Sequence, residues 1–289
     1  MENPLFPYSP IVRREPLTLP EGKRLAVWFA LNLEHYEYGK PALSLAPFTA
    51  QLTPDPLNYG WREYGPRVGA WRLIEMFDRI GVQPTAVVNS EVCDRHPELI
   101  EEGVKRGWRW VGHGRDNSTW QTGMEPEAEK AYIEDVAGAI ERATGARPRG
   151  WLGPALTASP ATNDLLAELG FRYTLDWGVD DEPFRFDVAS GELISVPYST
   201  ELNDIPFFVI HGQTGADFRQ ALIDQFDQLR AEGESRPRVM GFGLHPFLSG
   251  QPYRARYVAE ALEHMTRCED VWFTTADEIA EWYLNGART

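Results

Sequence analysis

The sequence predicts an α/β protein whose strands form one parallel sheet, curled into a closed or nearly closed β/α barrel of about seven strands. Three observations carry this expectation. Short apolar runs alternate with longer amphipathic ones, and the connections between them are short, the pattern of a parallel sheet with crossover helices. The number of such units, seven or eight, is enough to close a barrel. Every polar cluster of note follows the end of a predicted strand, and chemistry in such barrels gathers at the carboxyl ends of the strands.

The first strand is expected over residues 24–33, where Leu25, Val27, Phe29 and Leu31 alternate with other mostly apolar residues. Residues 39–64 read as a long irregular insertion rich in Pro, Ser and Tyr, a length that points to function. Segment 67–80 is amphipathic, with Val68, Trp71, Leu73, Ile74, Phe77 and Ile80 on one helical face. A strand follows at 85–89. The helix expected at 97–105 has Pro97 in its first turn, where proline is tolerated. A strand at 108–112, a long helix at 125–144 and a strand at 150–152 come next. Ser159 and Pro160 are placed as N-cap and first-turn residue of a helix that stops at Gly170. Strands at 172–176 and 193–197, a helix at 218–231, a strand at 239–244, a helix at 253–265 and a strand at 271–274 complete the alternation. Thr275, with Glu278 three residues on, makes a capping box for the closing helix. No composition break or internal repeat divides the chain, so residues 1–289 are expected to be one domain with 1–20 as an N-terminal extension.

The 289 residues are 43% hydrophobic and 12% aromatic, enough for a large core without disulfides. Cys93 and Cys268 have no metal-type spacing and read as incidental thiols of a reducing cytoplasm. A formal charge of −15 argues against a nucleic-acid partner and against anionic membranes. Residues 1–20 lack the apolar centre of a signal peptide, and no run approaches the roughly twenty apolar residues of a membrane span. A cytoplasmic location is expected, and with it a small-molecule substrate rather than a cell-wall polymer. The aromatic surplus and the 39–64 insertion suit a subunit interface, so a homo-oligomer is expected.

The strongest local signal is His113-Gly114-Arg115-Asp116-Asn117, a histidine at a strand end followed by a glycine that allows close approach. Asn32-Leu33-Glu34-His35 places a carboxylate at the end of an apolar strand, which is costly unless it is paired or catalytic. Gly243-Leu244-His245-Pro246 sets a histidine just past a buried strand, where it can act as general acid or base near neutral pH. Glu34, His113 and His245 are therefore expected to meet in one pocket. Arg62 and Glu63, ahead of a helix, are candidates to fold over it, with Arg62 binding a substrate carboxylate or carbonyl. Asn203-Asp204 could line the rim, the alternative being a turn.

Together these segments, with Arg147-Pro148-Arg149-Gly150-Trp151 and Leu244-His245, resemble the polysaccharide-deacetylase superfamily over residues 24–282. The resemblance implies a distorted β/α barrel of the NodB-homology type. It also implies a metal-dependent site with two aspartates at the first strand end and two histidines four residues apart. Here the base position reads Asn32, the ligand aspartate reads Glu34, the first histidine is His113 and the second reads Asn117. Zinc prefers N, S or carboxylate donors, so Glu34, His113 and Asn117 would hold it only weakly. Leu31-Asn32-Leu33-Glu34, Glu63-Tyr64-Gly65, Val196-Pro197-Tyr198 and Asn203-Asp204 are similar to the metal-independent allantoinases of this superfamily. That branch implies hydrolysis of a C–N bond in a small cyclic or acylated amide, with no cofactor. On this reading Glu34 or His113 activates water, Glu34 through a pKa raised by the apolar strand behind it. His245 protonates the leaving nitrogen, and backbone N–H groups near Trp151 to Gly153 bind the oxyanion. Asn32, Arg62, Glu63, Asp116, Asn117, Trp151 and Asp204 are the expected substrate-binding residues. The rivals are a zinc-dependent N-deacetylase of an acetylated sugar and a non-catalytic carbohydrate- or metabolite-binding protein.

Overall fold

The computed structural model describes residues 3–286. Its strands, in chain order, are β1 (Leu25–Leu33), β2 (Thr85–Val88), β3 (Arg109–Gly112), β4 (Gly150–Trp151), β5 (Tyr173–Thr174), β6 (Phe184–Arg185), β7 (Ile194–Ser195), β8 (Arg238–Leu244) and β9 (Val271–Phe273). They form one sheet in the order β6-β7-β5-β4-β3-β2-β1-β8, with β9 also on β1. Every pairing is parallel except β6 with β7. Beyond β7 the chain turns back to β8: Ser199 N–H donates to Gly241 O at 2.9 Å, and Asn203 bridges to Gly243. The sheet is thus a curled, parallel-dominated half-barrel.

The period of two in a strand decides which side chains face inward. β1 is buried at every position, but Ala26, Trp28 and Ala30 pack into the barrel interior with Val87, Val111, Leu152, Tyr173 and Val239. Leu25, Val27, Phe29 and Leu31 pack outward, against helices that carry Leu73, Phe77, Ile133 and Leu262. Two residues past an inward position lies another inward position. Asn32 and Glu34 continue the series of Trp28 and Ala30, His113 continues from Val111, and His245 lies six residues past Val239, in the same phase. The barrel's own register therefore aims these groups at one point above its core.

Several boundaries depart from the sequence reading. The segment 39–64 is not irregular throughout. Pro56–Tyr64 is helical, begun by Asp55, whose side chain accepts from Asn58 N–H at 3.2 Å, with Pro56 in the first turn. It continues through a wide turn at Gly65–Gly69 into Ala70–Ile80. Gly69 is there for space: a Cβ would stand 2.0 Å from the Pro246 carbonyl oxygen. Ser159 does not cap a helix. The helix is Thr162–Glu168, preceded by Ala161, and the Ser159 hydroxyl is turned instead to Glu129. The antiparallel strand β6 was not foreseen, since two residues carry no period. Thr275 and Glu278 do form the expected capping box. Among the described residues no helix is long and apolar enough to cross a membrane.

Candidate active site

Glu34, His113 and His245 meet at the mouth of the barrel, as expected. Glu34 Oε1 lies 3.3 Å from His113 Nε2 and 3.3 Å from His245 Nε2. Its other oxygen accepts a hydrogen bond from the Tyr36 hydroxyl at 2.6 Å. Each imidazole is anchored from behind through Nδ1. His113 Nδ1 is 2.7 Å from Leu152 O, and His245 Nδ1 is 2.6 Å from Asp204 Oδ1. Asp204 is itself held, accepting from His245 N–H at 2.7 Å and from the Ser249 hydroxyl at 2.5 Å. A carbonyl and a carboxylate only accept, so both rings carry hydrogen on Nδ1 and turn Nε2 to Glu34.

All three side chains are nearly inaccessible, and Glu34 and His245 set each other's charge. Burial alone would raise the pKa of Glu34. The charge of His245 and hydrogen bonds from both imidazoles outweigh it and hold the carboxyl well below the usual carboxylate range. Burial would likewise lower His245, but the charges of Glu34 and Asp204 win and push it up to about 10. The raised pKa expected for Glu34 is thus reversed. The apolar strand is real, but two imidazoles stand over its end. Nearby, burial raises Asp176 to about 6; its carboxyl accepts from Gly153 N–H at 2.7 Å and from the Thr174 hydroxyl at 2.8 Å.

The cluster opens into a cleft of about 370 Å³ lined also by Asn32, Asn117, Tyr198 and Asn203. Thr200 also lines it, and the rest of the wall is largely apolar, with Leu43, Trp120, Leu156, Ile205, Pro206 and Ile210. Ala155 and Leu156, both at φ 54°, hold the wall in the left-handed region that costs a non-glycine residue energy.

The polysaccharide deacetylase family profile matches residues 62–174. A probable polysaccharide deacetylase from Pseudomonas aeruginosa PAO1 superposes with a TM-score of 0.85 and 28% identity, over 96% of this chain and 97% of that one. The Puue allantoinase superposes with a TM-score of 0.83 and 28% identity, over 96% of each chain. The chain carries a polysaccharide deacetylase domain, and these structural neighbours support the superfamily. In sequence it is also 22% identical to the peptidoglycan deacetylase of Helicobacter pylori over 272 residues, which covers 83% of this chain and 91% of that protein.

The superfamily raises the question of a metal, and the donor set answers poorly to one. Of the weak zinc set, Asn117 has its Oδ1 engaged by Asn89 Nδ2 at 3.2 Å and its Nδ2 directed to the Tyr36 oxygen at 3.4 Å. Among the described residues no three His, Cys, Asp or Glu side chains are arranged to hold a metal ion. The residues present do not fit the superfamily's metal site.

Other expected residues fall in different places. Asn32, Asn117 and Asp204 belong to the site, Asp204 as the partner of His245 rather than as rim. Asp116 is buried and accepts from Ser118 N–H at 2.8 Å, so it shapes the loop instead of facing the cleft. Trp151 is fully buried, its indole donating to Gln121 at 3.1 Å. Arg62 lies behind Glu34, over the Tyr36 ring at 4.9 Å, with one nitrogen on Leu43 O. Glu63 does not line the cleft. The backbone donors expected near Trp151 to Gly153 are committed: Leu152 N–H goes to Gly112 O at 2.9 Å and Gly153 N–H to Asp176. Gly114, at φ 64°, makes room for Pro154 and the Tyr132 hydroxyl, not for a ligand. The sequence reading gave neither Tyr36 nor Asp176 a role in the site, and quoted Tyr198 only for its resemblance. Tyr36 had a signal, two residues past Glu34 and hence on the same side of the chain.

Proposed function

We propose that this protein hydrolyses a carbon–nitrogen bond in a small cyclic or acylated amide, in the manner of an allantoinase, without a tightly held metal. The observation that carries the reading is the ionised Glu34 clamped between two imidazoles, each pinned through Nδ1. The likeness to the Puue allantoinase supports it. So does the cleft, whose apolar wall of Leu43, Ile205, Pro206 and Ile210 suits a small neutral molecule better than a hydroxyl-rich sugar chain.

Each residue has a defined task. In its neutral form His113 keeps its one hydrogen on Nδ1 and does not donate to Glu34, and the Nε2 lone pair of that form takes a proton from water as water attacks the carbonyl carbon. Glu34, too acidic to be that base, holds both rings in place. His245, protonated and steadied by Asp204, gives its Nε2 proton to the nitrogen as the C–N bond breaks. The products are a carboxylic acid and an amine, or a single opened chain from a ring. Asn32 and Asn117 orient substrate without titrating.

The test is a hydrolysis screen over acyclic amides, hydantoin-type rings and N-acetyl sugars, with and without chelator. Turnover of small amides that survives chelation is expected. Activity lost to chelator and restored by zinc would replace this reading with the metal-dependent deacetylase. A protein that binds but turns over nothing would replace it with the binding protein.

A further inference from the structure

Tyr198 stands in the cleft with no part in the steps above. Its phenol oxygen accepts two hydrogen bonds, from Asn32 Nδ2 at 3.3 Å and from Asn203 Nδ2 at 3.0 Å. Chemistry fixes the orientation of both amides. Asn32 Nδ2 also donates to Leu244 O at 3.2 Å, and a carbonyl can only accept. Asn203 Oδ1 accepts from Ile205 N–H at 2.9 Å, so its amino end is the one that reaches Tyr198. Neither amino group can receive the phenol's hydrogen. Two donors fill the acceptor positions of the oxygen, and the hydrogen is directed to a third partner. Among the described residues no protein group accepts it.

The ring cannot swing away. It is 1% exposed and stacks on Trp28, 5.7 Å between centroids. Trp28 is fastened by its indole to Pro197 O at 3.0 Å, the residue before Tyr198. Burial, reinforced by the charges of Asp204 and Glu34, raises the phenol's pKa and keeps it a donor across the neutral range. The backbone donors at Leu152 and Gly153, the other source of hydrogen bonds at this depth, are already used.

We propose that Tyr198 is a catalytic residue whose hydroxyl donates to the carbonyl oxygen of the bound amide and to the oxyanion that this oxygen becomes. The proposal rests on the amide-hydrolase reading of the same cleft. When water adds to the carbonyl carbon, the C=O electron pair moves onto oxygen. The phenol shares its hydrogen with that charge without releasing it. When the C–N bond breaks, the pair returns and the carbonyl reforms. Donors set toward such a charge before the reaction begins lose nothing to reorganisation.

Tyr198→Phe removes one oxygen and keeps the stack on Trp28. On the fastest substrate of the amide screen, kcat per folded molecule should fall by about a hundredfold or more, the scale for losing one oxyanion donor, while KM stays near wild type and the melting temperature drops modestly because Asn203 Nδ2 loses its acceptor. A second measurement keeps the hydroxyl. With 3-fluorotyrosine at position 198 the phenol is a more acidic donor, so kcat at neutral pH should change while the alkaline fall, set by His245, stays in place. Undiminished kcat in Tyr198→Phe, or a kcat at neutral pH unmoved by fluorination, overturns the role of Tyr198 and leaves the hydrolase reading standing. A wild-type protein that turns over no amide overturns both.

Discussion

Glu34 and Glu129 are both buried carboxylates, and the contrast between them shows what separates a reactive site from a structural one. Glu129, in the helix Pro126–Thr144, is 0% exposed and is met only by neutral donors. Gln121 donates at 2.9 Å, Thr162 at 2.5 Å and Ser159 to the other oxygen. Through Gln121 the cluster also fastens the indole of Trp151. None of those donors titrates near neutral pH, and Glu129 lines no part of the cleft. Glu34 has partners that can gain and lose protons, and it faces open space. Burial with complete hydrogen bonding is common to both. Titratable neighbours and access are what make the first a candidate for chemistry.

The largest effect should come from dismantling the first site. His245→Ala and Glu34→Gln are each expected to lower kcat by about a hundredfold or more, as loss of general acid–base groups does, in steady-state assays on the best amide. An unchanged kcat in either would break the contrast at its root.

Much of this site was legible in the sequence because strand ends are legible. Glu34, His113 and His245 each interrupt or follow an apolar run, and the period of two points them the same way. What sequence could not supply was the company each would keep. The acidity of Glu34 depends on rings brought in by β3 and β8, and the raised pKa expected from the apolar strand alone came out reversed. Asp116 and Trp151 belong to motifs that do sit at the rim, but their side chains turn into the scaffold. A motif locates a segment and leaves the direction of each side chain to tertiary packing. The helix Pro56–Tyr64 is obscured by Gly60, its two tyrosines and the prolines ahead of it, although Asp55-Pro56 is a sound helix start.

The second site should fail differently. Glu129→Ala strands the hydroxyls of Ser159 and Thr162 and the Gln121 amide, at a cost of about 1–3 kcal/mol for buried groups left unsatisfied. Denaturant unfolding should read that loss while kcat per folded molecule stays near wild type. A collapse of kcat without loss of stability would make Glu129 part of the chemistry and erase the distinction.

A smaller effect sharpens the electrostatic half of the comparison. His245 has its pKa raised from 6.5 to about 10, so its stabilising contribution is complete below pH 6.5 and is lost as pH rises through about 10. Glu34 has its pKa lowered from 4.5, so its contribution is present above pH 4.5 and is lost only on strong acidification. The melting-temperature gap between wild type and His245→Gln should therefore narrow steadily from pH 6.5 toward pH 10. A gap that widens over that range would mean the imidazole is not held protonated by Glu34 and Asp204.

The smallest effect is expected at Glu63, outside the cleft. Glu63→Gln should leave kcat/KM within about twofold of wild type, the scale of a surface substitution away from special features. A large loss would extend the site beyond the cleft and over the helix that carries Arg62.

The central strand carries a consequence for how the molecule comes into being. One edge of β1 is shared: its final residues Ala30–Leu33 pair with β2, but Leu25–Val27 pair with β9, which is made near the end of the chain. Until Val271–Phe273 leave the ribosome, the start of β1 has a bare row of amide groups available to any passing strand. So sequence-distant a pairing is slow to form. During synthesis this protein must shelter its earliest strand for nearly the whole length of translation, and a chain cut short before β9 should aggregate rather than fold into a smaller stable domain.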